Sequence, residues 1–310
     1  MSTTPMPERR IGIIGLGSMG GAMAASFVNQ GWTVLGFDPS QAARSAAATA
    51  GVSLMDTVDD LAGAPYIVLS LPSAKIVEST IPMLFAVPGT VAIIDTTTSE
   101  PKTSQAMAAL AIQHNAHFVD APVSGGSSGA ATGTLASFVG GSDDAIAAAL
   151  PVLECLTGGK WKRVGPAGSG NVVKLLNNML VSTNLLAVAE AMDVASSYGI
   201  DLDTAVAALN TATGASTVSS KMYPEQILNG NFSSGFSLGL MSRDVALAYD
   251  IATQGGSTPR VFAQTNEAWQ QALAALGPAA DFTSATSTFT PATDALNPET
   301  LAAAQKDASL

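Results

Sequence analysis

Residues 11–24, IGIIGLGSMGGAMA, set a continuous apolar run directly before Gly15, Gly17 and Gly20 and a helical pattern directly after them. Few folds accommodate that order. A buried strand that leaves through a tight glycine turn and enters a helix at once opens a βαβ unit. Gly15 permits the turn, Gly17 lets backbone N–H groups approach a pyrophosphate, and Gly20 lets helix and strand pack closely, while the helix N-terminus favours the anion. The spacing alone is a weak signal. Its place between a strand and a helix is what gives it weight.

The same alternation continues through the first half of the chain. The runs TVLGF, YIVLSL, VAIID and HFVD are β-rich and apolar, and helical spacing separates them at 19–30, 41–50 and 102–115, with a further helix start at 57–61 where Asp60 follows Thr57 by three. Strands that are apolar throughout are covered on both faces, which means a parallel α/β sheet. TLASFVGG, a helix over about 143–155 and WKRV complete a first domain, 1–165. After Gly165 no strand candidates remain. A helical pattern runs from Asn171 to about Tyr198, where Gly199 offers a stop, and further helices follow, so 166–290 is expected to be all-α with 171–198 joining the domains. Residues 291–310, rich in Pro, Ala and Thr, read as a loosely held tail.

Composition narrows the partners. A net charge of −11 with no basic block opposes nucleic-acid binding. The charge-free stretch 121–142 is mostly Gly, Ser, Thr and Ala, so no membrane span is expected there. The apolar run near the N-terminus is too short and glycine-broken for a signal peptide, so a cytoplasmic protein is expected. The single cysteine, Cys155, rules out an internal disulfide and reads as a buried apolar residue. His114 and His117 lack further ligands in sequence and read as structural, so no metal is expected.

Asp38 closes the second strand 18 residues after Gly20, where an acid hydrogen-bonds the adenosine ribose and repels a 2′-phosphate. That favours NAD over NADP, since Pro39 offers no donor and Arg44 sits on what reads as a solvated helix face. An ordinary polar strand end is the plainer alternative. In 168–180, GSGNVVKLLNNML, Lys174, Asn177 and Asn178 share one face of an apolar helix. A lysine held at a cleft can serve as acid or base, although a snorkelling lysine flanked by solvated amides fits the segment equally. Ser124, Gly125 and Gly126 follow a strand end and could form an anion pocket suited to a carboxylate, or a flexible glycine loop.

GLGSMGGAMA, SLPS, DTTTSEP, DAPVSGGSSGAATGTL, GSGNVVKLLNNML and LMSRDVALA, in this order, resemble the β-hydroxyacid dehydrogenase family, which includes 3-hydroxyisobutyrate dehydrogenase, tartronate semialdehyde reductase and L-threonate dehydrogenase. The resemblance runs from Arg10 to about Phe289. It implies a Rossmann domain and an all-α domain that forms homodimers or homotetramers. It also implies an NAD-dependent enzyme that oxidises a small β-hydroxy acid to an aldehyde or ketone, or reverses that reaction. Lys174 would be the catalytic lysine, Asn178 and Asn177 would position the substrate, and Ser124, Gly125 and Gly126 would grip its carboxylate. Leu16, Ser18 and Met19 would line the cofactor with the three glycines, as would the Leu71-Pro72 turn, with Thr98 near the nicotinamide ribose.

Two positions depart from the family pattern. Arg243 stands where the family usually has Lys, which keeps the charge and changes its geometry, and Thr97 replaces a usual Ser. Arg243 is expected to contact the cofactor or the substrate carboxylate. An NADPH-dependent imine reductase and a non-catalytic NAD-binding protein are the alternative readings. Substrate choice is expected to involve 211–223 and Asp281-Phe282.

Overall fold

The computed structural model describes residues 9–85 and 89–289. The expected 291–310 tail lies outside them. The chain packs as two compact units that divide between Lys174 and Leu175, so the opening turn of the long helix belongs with the first unit.

The first unit alternates as the apolar runs require. Its elements are β1 (Arg10–Ile14), α1 (Ser18–Asn29), β2 (Thr33–Phe37), α2 (Gln41–Thr49), β3 (Ser53–Leu54), β4 (Tyr66–Leu69), α3 (Ala74–Thr80) and β5 (Ala92–Asp95). Then come α4 (Pro101–Gln113), β6 (His117–Asp120), β7 (Val123–Ser124), α5 (Gly126–Thr132), β8 (Ala136–Gly140), α6 (Asp143–Thr157) and β9 (Trp161–Gly165). The sheet order is β3-β2-β1-β4-β5-β6-β8-β7, with β9 beside β8. Pairing is parallel from β3 to β6, whereas β8 runs antiparallel to both β6 and β7. At that edge the chain turns back through β7 and the short α5 instead of crossing over the sheet.

The two sheet faces carry separate cores. Ile11, Ile13, Val68 and Ile94 pack on one side, and Ile14, Ile67, Leu69 and Ile93 on the other. This is the period-2 geometry of a strand read against helices on both faces. At 57–61, where a helix start is expected, a single 3-10 turn forms over Asp59–Leu61. Thr57 donates to Asp60 Oδ2 through both N–H and hydroxyl, at 2.9 Å each. Pro65 follows closely and disfavours a helical Ala64, so the cap starts nothing longer.

The second unit is helical. It takes in most of α7 (Ser169–Ser197), then α8 (Leu202–Leu209), a π-helix over Val218–Leu228, α9 (Leu238–Gln254), α10 (Arg260–Leu276) and α11 (Thr286–Phe289). Helix α7 buries Leu175, Met179, Leu185, Ala189 and Met192 in this unit's core. It is long and apolar enough to cross a membrane by length and composition alone, but these residues form the stripe of a core helix. Gly199, at φ +71°, ends it. Trp269 is fully buried, with the rings of Phe289 and Phe282 centred 5.9 and 6.1 Å away. The only strand-like pairing described in this unit is the isolated bridge Ser237–Asp281.

Candidate active site

Register gathers the candidate residues of the first unit on one sheet edge. Ile14 pairs with Phe37 and Leu69, Leu69 with Asp95, and Asp95 with Asp120, so β1, β2, β4, β5 and β6 end together. Strand order reverses between β1 and β4, and open parallel sheets bind ligands beside such a switch point at the carboxyl ends of their strands.

The glycine turn lies there, and each glycine has its own reason. Gly15 has φ +90°, and a Cβ on it would run into the Ser70 carbonyl oxygen. A Cβ on Gly20 would run into the Gly15 carbonyl oxygen, so α1 starts as close to the turn as backbone allows. At Gly17 a Cβ would meet nothing within 4 Å. Nothing internal demands glycine there, and the open space fits a phosphate group approaching the backbone. Gly17 and Ser18 are exposed, Met19 is half-buried and Leu16 is buried.

Asp38 does more than end a strand. Its Oδ2 accepts from Leu16 N at 2.7 Å and its Oδ1 from Ser40 N at 2.7 Å, which ties the glycine turn to the end of β2. An ionised carboxylate has about four acceptor positions, so two tethers leave capacity for ribose hydroxyls. Arg44 is not simply solvated: it donates to the Met55 carbonyl oxygen and pairs with Asp56 at 3.0 Å. These residues fit a dinucleotide whose ribose carries a free 2′-hydroxyl.

After β4, Leu71 N donates to Thr97 Oγ1 at 3.0 Å, and Thr97 N donates to Asp95 Oδ1 at 3.0 Å. The Leu71-Pro72 turn and the loop bearing half-buried Thr98 are thereby linked. The substituted Thr97 supplies this link with its hydroxyl, which a serine would also carry. Burial, with the neighbouring Asp120 carboxylate adding to it, pushes the Asp95 carboxyl up to about 7. The folded chain therefore binds this proton more tightly than the unfolded chain does, and the group's contribution to stability falls as pH rises from about 4 to about 7. Asp95→Asn keeps an oxygen for Thr97 N and removes the titration. Its stability relative to the parent should rise across that window by up to about 4 kcal/mol and stay level above it. Denaturant midpoints at stepped pH read this, and parallel profiles for the two proteins would sink it.

Ser124 is held by pairing with Ala136, and Gly125 and Gly126 follow at φ +130° and +64°, both of which call for glycine. Gly168 and Gly170 serve a purpose the sequence did not suggest. The groups that come close to them are the protein's own: a Cβ on Gly168 would meet Pro101 O at 2.7 Å, and one on Gly170 would meet Asp120 O at 2.7 Å. Asp120 Oδ1 accepts from Gly168 N at 2.7 Å and Oδ2 from Asn171 N at 2.9 Å. Lys174, half-buried, lies one turn further along α7.

In the second unit Asn178 Nδ2 donates to Asp244 Oδ2 at 2.7 Å, and Asn177 Nδ2 donates to Asn178 Oδ1 at 3.3 Å. Arg243 donates to Asp244 Oδ1 from Nε at 3.1 Å and from Nη2 at 2.8 Å. Fully buried Asp244 thus joins three candidate residues and was itself missed. Its proximity to Arg243 in sequence was visible, but its bond to Asn178, 66 residues away, was not. The 211–223 stretch runs into the π-helix, a geometry enriched at functional sites. His114 stacks on Phe85 with centroids 4.4 Å apart, a packing role.

Residues 10–165 match the model described as the NAD binding domain of 6-phosphogluconate dehydrogenase. Residues 168–289 match the one described as NAD-binding of NADP-dependent 3-hydroxyisobutyrate dehydrogenase. The chain is 35% identical to a probable 3-hydroxyisobutyrate dehydrogenase of Mycobacterium tuberculosis over 257 residues, 80% of this chain and 87% of the relative. It is 33% identical to the 2-(hydroxymethyl)glutarate dehydrogenase of Eubacterium barkeri over 251 residues, 79% and 83% of the two chains. The solved structure of Mycobacterium tuberculosis 3-hydroxyisobutyrate dehydrogenase with L-serine superposes with a TM-score of 0.83 at 32% identity, covering 91% of this chain and 99% of that one.

Proposed function

The chain belongs to the β-hydroxyacid dehydrogenase family, and on that premise we propose that it oxidises a small 3-hydroxy carboxylic acid with NAD, Lys174 serving as general acid and base. The chain is an NAD-dependent oxidoreductase acting on a CH–OH group; the substrate class and the residue roles are the proposal. One observation carries it: the turn of α7 bearing Lys174 is bonded, through Asn171, to the Ser99 backbone next to Thr98.

Bound NAD supplies a hydride acceptor at its nicotinamide ring. The Lys174 amine takes the hydroxyl proton as the alcohol carbon gives up hydride, and returns it in the reverse reaction. Ser124 Oγ and the Gly125 and Gly126 N–H groups hold the carboxylate. Asn178, its amide orientation set by Asp244, orients the reacting oxygen, and Asn177 steadies Asn178. Leu71 and Pro72 would lie along the cofactor, Thr98 would stand near its nicotinamide ribose, and Arg243 would lend positive charge to cofactor or substrate. Exposed apolar residues of the helical unit, Leu180, Val194 and Tyr198 among them, support assembly into a homodimer or homotetramer.

The test is NADH formation, followed by absorbance, with 3-hydroxyisobutyrate, L-serine, glycerate, threonate and phenylserine. Turnover of at least one with NAD is expected; intact NAD binding with no turnover of any would overturn the substrate class. Cofactor choice is read separately with Asp38→Asn, which keeps an oxygen for one backbone tether and loses the charge. The kcat/KM ratio of NAD to NADP should drop about 10–100-fold, the worth of one or two charge-assisted hydrogen bonds. An unchanged ratio would mean that Asp38 only braces the turn.

A further inference from the structure

We propose that Asp120 and Asn171 are positioning residues, a buried buckle that fastens the first turn of α7 to the loop after β5 and the end of β6 and thereby sets where the Lys174 amine stands. This rests on Lys174 being the acid–base group.

Both residues are 0% exposed. Asp120, the last residue of β6, receives Gly168 N and Asn171 N, backbone donors of the kind a helix start leaves without intrahelical partners. Asn171 turns the other way. Its Oδ1 accepts from Ser99 N at 2.9 Å, and its Nδ2 donates to Ser99 Oγ at 3.3 Å and Ser104 Oγ at 3.0 Å. One side chain therefore joins α7 to the loop after β5 and to α4. Slack is absent because Gly140, Gly168 and Gly170 leave no room for even a methyl group. Burial holds the Asp120 carboxyl above its ordinary value, and the backbone donors of Gly168 and Asn171 offset part of that rise. Lys174 follows Asn171 by three positions, on the same face of the helix.

Sequence spacing could place a lysine on this helix, but only the buckle fixes its distance from the strand ends. Misplacement of a reacting group by about 1 Å is enough to cost about 10²-fold in rate. A general stabilising role would lower stability without acting through one side chain, so the test is a double-mutant cycle on the full-length enzyme.

Asp120→Asn replaces one acceptor with a donor facing an N–H group. It is expected to lower kcat about 10–100-fold with NAD KM changed less than about 3-fold. In a Lys174→Ala background the same substitution should lower kcat by less than about 3-fold, because the group it positions is gone. Asn171→Ala, which leaves both Asp120 bonds in place, gives the same cycle should Asp120→Asn not fold. Losses that multiply in the double variants overturn the buckle while leaving the acid–base role intact. A fully active Lys174→Ala overturns both.

Discussion

Lys174→Ala is expected to lower kcat by about 10³-fold or more while NAD still binds with its parental affinity. Proton transfer by a placed side chain contributes roughly 10²–10⁴-fold. A methyl group also leaves the substrate oxygen unpartnered inside the site, which adds to the loss. The loss should fall on kcat and kcat/KM alike, since the amine acts as the proton moves and not when the acid first docks. The pH profile carries a second sign: the limb belonging to the base should flatten in the variant. Undiminished turnover with normal NADH formation would refute the assignment outright.

Gly20→Ala should be the most damaging single methyl in the chain. Its Cβ would overlap the Gly15 carbonyl oxygen and lie 2.9 Å from the Gly15 carbonyl carbon and 3.1 Å from Ser70 Cβ. The obstacle is backbone that φ +90° at Gly15 already confines, so no flexible side chain can give way. Overpacking a core costs about 1–3 kcal/mol, and here the upper end or beyond is expected, together with a loss of NAD affinity of about 100-fold or more. Gly17→Ala is the matched control. Its added Cβ meets nothing within 4 Å, so the melting temperature should hold while NAD binding weakens, because the methyl occupies the space assigned to the pyrophosphate. Calorimetry and NAD titration on the two variants separate the roles. Equal melting losses would undo the distinction between a packing glycine and a ligand-facing one.

The glycine turn and the strands around it were legible because their evidence is local. Gly15, Gly17 and Gly20 follow an apolar run by fixed offsets, and a strand buried on both faces favours apolar residues throughout, as in β4 and in β5 up to its terminal Asp95. Lys174, Asn177 and Asn178 were legible as anomalies, since polar groups on an apolar helix are costly without partners. The partners themselves were hidden. Gly168 and Gly170 admit the Pro101 carbonyl and Asp120, neighbours that residue order does not announce. Asp244 looked like the neighbour of an arginine and also fixes the Asn178 amide. The antiparallel β8 edge and the single turn at Asp59–Leu61 were likewise outside what spacing could reveal.

What residue order alone determined, then, is where the chain is strand or helix and where backbone must come unusually close. Those properties depend on side-chain periodicity and the absence of a Cβ within a dozen residues. Which groups meet was decided only by the folded chain. Asp120 reaches Gly168 across 48 residues and Asn171 reaches Ser99 across 72, and a hydrogen bond over such a span exists only once β5, β6 and α7 have packed. A buried polar side chain shows in sequence that it needs a partner, and tertiary structure supplies it.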